Sequence, residues 1–150
     1  MKKEKNVLMM IGDVHRIFHN KLRNLAEENG LVSSYRPIIF HLSHNDGLSQ
    51  LDLVKRTRFK APTISLTLQK MEQEGYVIRK PSLTDARVIQ VFLTEKGKEY
   101  EKKMMELVEK LEQKILPKLD AKETEELEII LNKLINIMCT EFGEYNHENF

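Results

Sequence analysis

Only four residues, Thr57-Arg58-Phe59-Lys60, separate two short helical patterns near the middle of this chain, and no other feature limits its fold so tightly. Before the gap, Ser49 and Asp52 stand in capping-box spacing, while Leu48 and Leu53 occupy the positions of a hydrophobic staple. A helix from about Gln50 to Arg56 is predicted. After the gap, Pro62 opens a second helix, its ring tolerated in the first turn, and Gly75 is placed to end it. The pair reads as helix-turn-helix. Two β-branched or aromatic runs follow, Val77-Ile78-Arg79-Lys80 and Val88-Ile89-Gln90-Val91-Phe92-Leu93. They bracket Pro81 to Arg87 and predict a hairpin with a mobile, polar tip.

Longer helical patterns flank this unit. Val7, Met10, Ile11, Val14, Phe18, Leu22 and Leu25 recur at three- and four-residue intervals until Gly30 stops the helix. Ser33 or Ser34 is placed to cap the next, where Tyr35, Ile38, Ile39 and Leu42 repeat the spacing up to His44-Asn45-Asp46-Gly47. Beyond the hairpin, Thr94 caps a long helix with Tyr100, Met104, Leu107, Val108, Leu111 and Ile115 on one face, ending at Pro117. Asp120 and Glu123 form a second capping box, followed by Leu127, Ile130, Leu131, Leu134, Ile137 and Met138. The segment from Gly143 to Phe150 is polar and expected to fray. The fold class is mainly α with a small β-hairpin.

A chain of 150 residues suits one domain, or a small domain plus helices that pair it with a second copy. Apolar residues at 41% and charged ones at 31% fit a globular protein. No apolar run approaches the ~20 residues that cross a bilayer, and Met1-Lys2-Lys3-Glu4-Lys5 leads into a polar-faced helix, so a cytoplasmic location is expected. Cys139 stands alone, which leaves no intramolecular disulfide and no ordinary thiolate zinc site. A glycine-rich phosphate loop, a nucleophile elbow, an HExxH helix and paired carboxylates in an apolar pattern are all missing, so neither an enzyme nor a cofactor is expected. The net charge of +1 hides a segregation. From Ser49 to Thr94 eight basic residues face four acids, a balance of +4, whereas from Glu95 onward nine lysines face fourteen acids, a balance of −5. A polyanion is drawn to the middle of the chain and repelled by its end.

The helix beginning near Pro62 carries the functional signal. At 100° per residue, Ile64, Leu68 and Met71 point inward, while Pro62, Leu66, Gln69 and Gln73 point outward with Thr63, Ser65 and Lys70 on the flanks. Such a slender, acid-poor surface fits a major groove: Gln69 suits an adenine edge, Thr63 and Ser65 suit bases or phosphates, and Leu66 a thymine methyl. Arg79 and Arg87 flank the hairpin turn, and Asp85 is close enough to pair with Arg87 and extend its guanidinium toward a phosphate or minor groove. A winged-helix module that binds protein is the alternative; it would call for larger anchors than this face offers. His15 and His19, and His41 and His44, have spacings seen in metal sites, yet no acid–histidine cluster accompanies them and no metal is expected.

Leu48-Ser49-Gln50, the Pro62-Thr63-Ile64-Ser65 helix, Glu74-Gly75-Tyr76-Val77, the Asp85-Ala86-Arg87 tip and Leu93-Thr94-Glu95-Lys96-Gly97 together resemble the MarR family of bacterial transcriptional regulators. The resemblance implies a winged helix-turn-helix DNA-binding domain over 32–94, with N- and C-terminal dimerisation helices over 1–31 and 95–145. It implies a homodimer on double-stranded DNA, read by Ser49, Gln50, Pro62, Thr63, Ser65, Leu66, Gln69 and Lys70, with Arg79, Asp85 and Arg87 on the wing. Family members commonly release DNA when an effector binds beneath the dimerisation helices; here a small organic anion near His15, Arg16, Tyr35 and Arg36 is the expectation. The oxidation-sensing cysteine of the first helix has no counterpart, and Cys139 is expected to pack as a small hydrophobe. Lys60-Ala61 and Leu66 depart from the family's usual polar residues, pointing to a different operator.

Overall fold

A computed structural model describes residues 6–57 and 59–143. Residues 1–5, Arg58 and the polar end from residue 144, where fraying is expected, lie outside the described residues. Helix α1 spans Val7–Glu28, capped by the Asn6 side chain, which accepts from the Met9 amide at 2.9 Å. It ends in a Schellman turn: Leu31 N–H donates to Ala26 O at 2.9 Å and Gly30 N–H to Glu27 O at 3.0 Å, with Gly30 at φ 72°. Neither Ser33 nor Ser34 caps the next helix. A 3₁₀ turn at Ser33–Tyr35 intervenes before α2, Arg36–His44, and the Ser33 hydroxyl donates to Glu27 at 3.1 Å. The carboxylate at the end of α1 has taken the group expected to cap α2.

Strand β1, Leu48–Ser49, leads directly into α3, Gln50–Thr57. Helix α4 covers Ala61–Gln73, with Pro62 in its first turn, and closes in a second Schellman turn. Tyr76 N–H donates to Met71 O at 2.8 Å and Gly75, at φ 80°, to Glu72 O at 3.1 Å. Strands β2, Val77–Pro81, and β3, Ile89–Leu93, form the hairpin, and β1 adds to its other side to give the antiparallel order β1-β3-β2. That third strand is absent from the sequence reading. Leu48 pairs with Val91 and Ser49 with Gln90, so the sheet anchors the start of the helix-turn-helix.

Helix α5 runs Glu95–Ile115, its N-terminus held by Thr94, which accepts from Gly97 N–H at 3.2 Å and donates to Gly75 O at 2.5 Å. A 3₁₀ turn at Leu116–Lys118 precedes α6, Ala121–Phe142, opened by the reciprocal Asp120–Glu123 capping box. One core, built from Leu22, Ile38, Leu53, Ile64, Leu68 and Tyr100 among others, joins the second half of α1 to α2–α5 and the sheet. The apolar periodicity of the outer helices is only partly covered. In α1 just Leu22 and Ala26 are buried, while Val7, Met10, Val14 and Ile17 lie open; no residue of α6 is buried. Among the described residues no helix is long and apolar enough to cross a membrane.

Candidate nucleic-acid interface

The sidedness of α4 follows from its residues. Ile64, Leu68 and Met71 are fully enclosed against the core, which turns Pro62, Thr63, Ser65, Leu66, Gln69 and Lys70 to solvent. Leu66 is 67% exposed, a large apolar side chain unsupported by any neighbour that covers it. Glu72 is the one acid of the helix, and it is engaged. The Arg79 guanidinium donates to its carboxylate at 2.7 and 2.9 Å, and the Arg79 backbone N–H adds a bond at 3.1 Å. These hydrogen bonds hold the Glu72 carboxyl below its ordinary range. The open face of α4 therefore keeps Lys70 as a charge without a competing free carboxylate.

The other sequence-derived residues fall into two groups. Ser49 and Gln50 enter α3 beside the sheet. The Ser49 hydroxyl donates to Asp52 at 2.7 Å and accepts from the Asp52 amide at 3.0 Å, so it works as a cap; the same contact lowers the pKa of Asp52. Gln50 Oε1 receives Arg79 Nη1 at 3.5 Å, which links α3, α4 and β2 through one guanidinium. Arg79, expected beside the hairpin turn as a DNA contact, braces α4 from β2. The expected Asp85–Arg87 ion pair also takes another form. Asp85 Oδ1 accepts from the Arg87 backbone N–H at 3.0 Å, an Asx-type contact that fixes the loop and leaves the exposed guanidinium outside it. Lys60, exposed at the N-cap of α4, and Lys80, above the Phe92 ring at 5.7 Å, extend the basic rim.

Of the four residues assigned to an effector, one lines a cavity. Tyr35 is buried, and its hydroxyl donates to Glu74 Oε2 at 2.9 Å; desolvation and that bond push its pKa up to about 12. Arg16 is exposed and reaches Asp13 at 3.2 Å along its own helix. His15 lies tilted against His19, ring centroids 4.1 Å apart and planes at 49°. Arg36, by contrast, borders a 320 Å³ cavity between α1, α2 and α5, where it meets His19, Arg23, Ser33 and Ser34 over an apolar floor that includes Leu22 and Met104. His19 is held below its ordinary pKa, first by desolvation and then by His15 and Arg36. The four-residue spacing of His19 and Arg23 was visible in the sequence; that Ser33 and Ser34 would face them was not. His41 is likewise lowered, by burial and by Arg56, and His44 Nδ1 donates to Phe40 O at 2.8 Å. Among the described residues no group of three or more His, Cys, Asp or Glu side chains is arranged to hold a metal, and Cys139 is half-buried on α6.

A sequence model of the MarR family matches residues 26–88, from the end of α1 through the hairpin loop. The fold also recurs in solved structures. The apo form of wild-type MarR from E. coli aligns with a TM-score of 0.81 at 20% identity, over 89% of this chain and 98% of that one. A MarR transcriptional regulator from Methanosarcina mazei is 28% identical, with a TM-score of 0.68 over 88% and 98% of the two chains. MepR, a transcription regulator of the Staphylococcus aureus multidrug efflux pump MepA, gives 0.74 at 19% identity over 89% and 99%. The helix-turn-helix and hairpin thus match a MarR family model in sequence, and the flanking helices recur in the fold of these MarR-type structures.

Proposed function

We propose that this protein is a sequence-specific double-stranded DNA-binding transcriptional regulator that acts as a homodimer on an inverted-repeat operator and represses by occupying a promoter. The observation that carries the reading is the open side of α4, where small and amide-bearing side chains are exposed while the opposite side is sealed in the core. A surface of this width enters a major groove, and a two-fold dimer sets two such helices roughly 34 Å apart on one face of the duplex. Residues 32–94 then form the DNA-binding unit, whereas 1–31 and 95–145 supply the pairing helices. Uncovered Val7, Val14 and Ile17 on α1 and Leu127, Ile130 and Ile137 on α6 support that pairing, because a monomer rarely leaves so much apolar surface in water. Cytoplasmic residence accords with such a role.

The cavity beside Arg36 supports release by a small organic anion. Arg23, Arg36 and Ser34 line it together with an apolar floor, a combination that suits an aromatic carboxylate. A panel of aromatic acids should raise the melting temperature of the protein, and weaken its hold on DNA, only where Arg36 is intact. The DNA reading is tested by selecting duplexes from a random pool. Arg87→Ala should lower affinity for every recovered duplex and reduce the salt slope by about one. Gln69→Ala should chiefly relax one base position, by about 1–3 kcal/mol. Identical effects of both substitutions on every sequence would refute these assignments, and failure to enrich any duplex would refute the regulator itself.

A further inference from the structure

The loop between β2 and β3 presents a feature that phosphate contact alone does not explain. Leu83, the second residue of this loop, is fully exposed, the most open large hydrophobic side chain among the described residues. The backbone around it is tied down. Ser82 N–H donates to Val88 O at 2.7 Å, Val88 N–H to Asp85 O at 2.9 Å, and Arg87 N–H to Asp85 Oδ1 at 3.0 Å. Ser82 Oγ lies 3.0 Å from Thr84 Oγ1 and also accepts from the Thr84 amide at 3.3 Å. Ser82, Thr84 and Asp85 thus turn inward on one another and on the loop backbone, while Leu83 is turned fully out, far more than Val88, which is 38% exposed. A loop built only for solvent would reverse that choice, since an exposed leucine gains nothing from burial.

We infer that Leu83 is an apolar wedge for the minor groove: it packs against deoxyribose and a base step at each flank of the operator, while Arg87 engages the phosphates. This rests on the DNA-binding reading above. The chemistry favours a groove over a protein surface. Leu83 stands among Ser82, Thr84, Asp85 and Ala86, and the loop's other branched aliphatic side chain, Val88, is only 38% exposed, whereas a protein interface needs a cluster of large anchors over several hundred Å². A single aliphatic tip matches a groove about 6 Å wide, and aliphatic side chains at such tips partly unstack the step they enter.

The test uses duplexes that the wild-type protein recovers from a random pool, with 2-aminopurine placed in turn at each step flanking the half-sites. Binding of the wild type should brighten the probe at one step per flank, as unstacking does. Leu83→Ala should abolish the signal and weaken binding by the dimer about 25-fold to 900-fold, about fivefold to thirtyfold for the aliphatic side chain lost at each of the two flanks. Its salt slope should stay as in the wild type, because no charge is removed. Leu83→Met should restore signal and affinity. Full exposure makes these substitutions neutral to folding, which circular dichroism checks. Wild-type binding without brightening at any flanking step overturns the inference and leaves the regulator reading intact. So does an unchanged affinity in Leu83→Ala, an outcome that would assign the leucine to a protein partner. A wild type that recovers no duplex overturns both.

Discussion

Glu101 on α5 is the described side chain least at ease in its surroundings. Its Oε2 is buried without a hydrogen-bond partner, and desolvation raises its pKa although Arg36 and His44 pull the other way. A carboxyl whose folded pKa is raised binds its proton more tightly in the native state than in the unfolded chain. Stability therefore falls as pH climbs from the ordinary carboxylate range through the raised value, and the full penalty remains above it. Glu101→Gln removes the charge. It should stabilise the protein at neutral pH by about 1 kcal/mol, the low end for an unpaired polar group because the residue is only partly covered. Urea unfolding between about pH 4 and 7 should show a flatter profile for the variant than for the parent. A parallel profile would show that the carboxylate finds compensation in solution. Arg79 teaches a related lesson about reading residues singly. In sequence it looked like a groove-facing cation, yet its partner Glu72 belongs to another element, and only the packing of β2 on α4 brings the two together.

Among the elements, the junction of β2, β3 and α5 is the least tolerant. Gly97 is buried in the first turn of α5, where a Cβ would strike the Tyr76 carbonyl and lie 2.9 Å from Leu93 Cδ2. Alanine is the better helix former by about 1 kcal/mol. Overpacking against backbone costs about 1–3 kcal/mol and should win, so Gly97→Ala is expected to lower the thermal midpoint; a rise would mean that the strand yields freely. The ends of elements were the most legible part of the chain. Asp120–Glu123, Ser49–Asp52, Thr94 and the glycines at 30 and 75 act within a turn of their own position, so local chemistry foretold them. What escaped notice depends on distant partners. Strand β1 is two residues long, and its pairing with Val91 and Gln90 cannot be inferred from its own pattern. Ser33 missed its expected role because Glu27 offered its hydroxyl a nearer acceptor. The open face of α4 was readable because 3.6-residue periodicity fixes which side chains share a side; the cavity was not, since three helices must meet to form it.

At the scale of the molecule, the sequence marked α1 and α6 as apolar along one side without saying what would cover them, and within a single chain very little does. A second copy is the covering the proposed function requires. Placing a charge there should separate the copies: Ile130→Glu combined with Val14→Glu is expected to sediment as a monomer. Its affinity for the selected duplex should fall about 100-fold or more, because two linked half-site contacts become one. A double variant that stays dimeric would move the interface elsewhere. The absence of any buried residue in α6 has a further consequence. If that helix finds its hydrophobic environment only across the two-fold axis, acquiring structure and acquiring a mate become one event, and thermal resistance should climb with protein concentration. Subunits would then be chosen by their ends and judged by their middles: a polypeptide crippled in α4 but sound in α1 and α6 would recruit healthy siblings into inert pairs, making the lesion dominant.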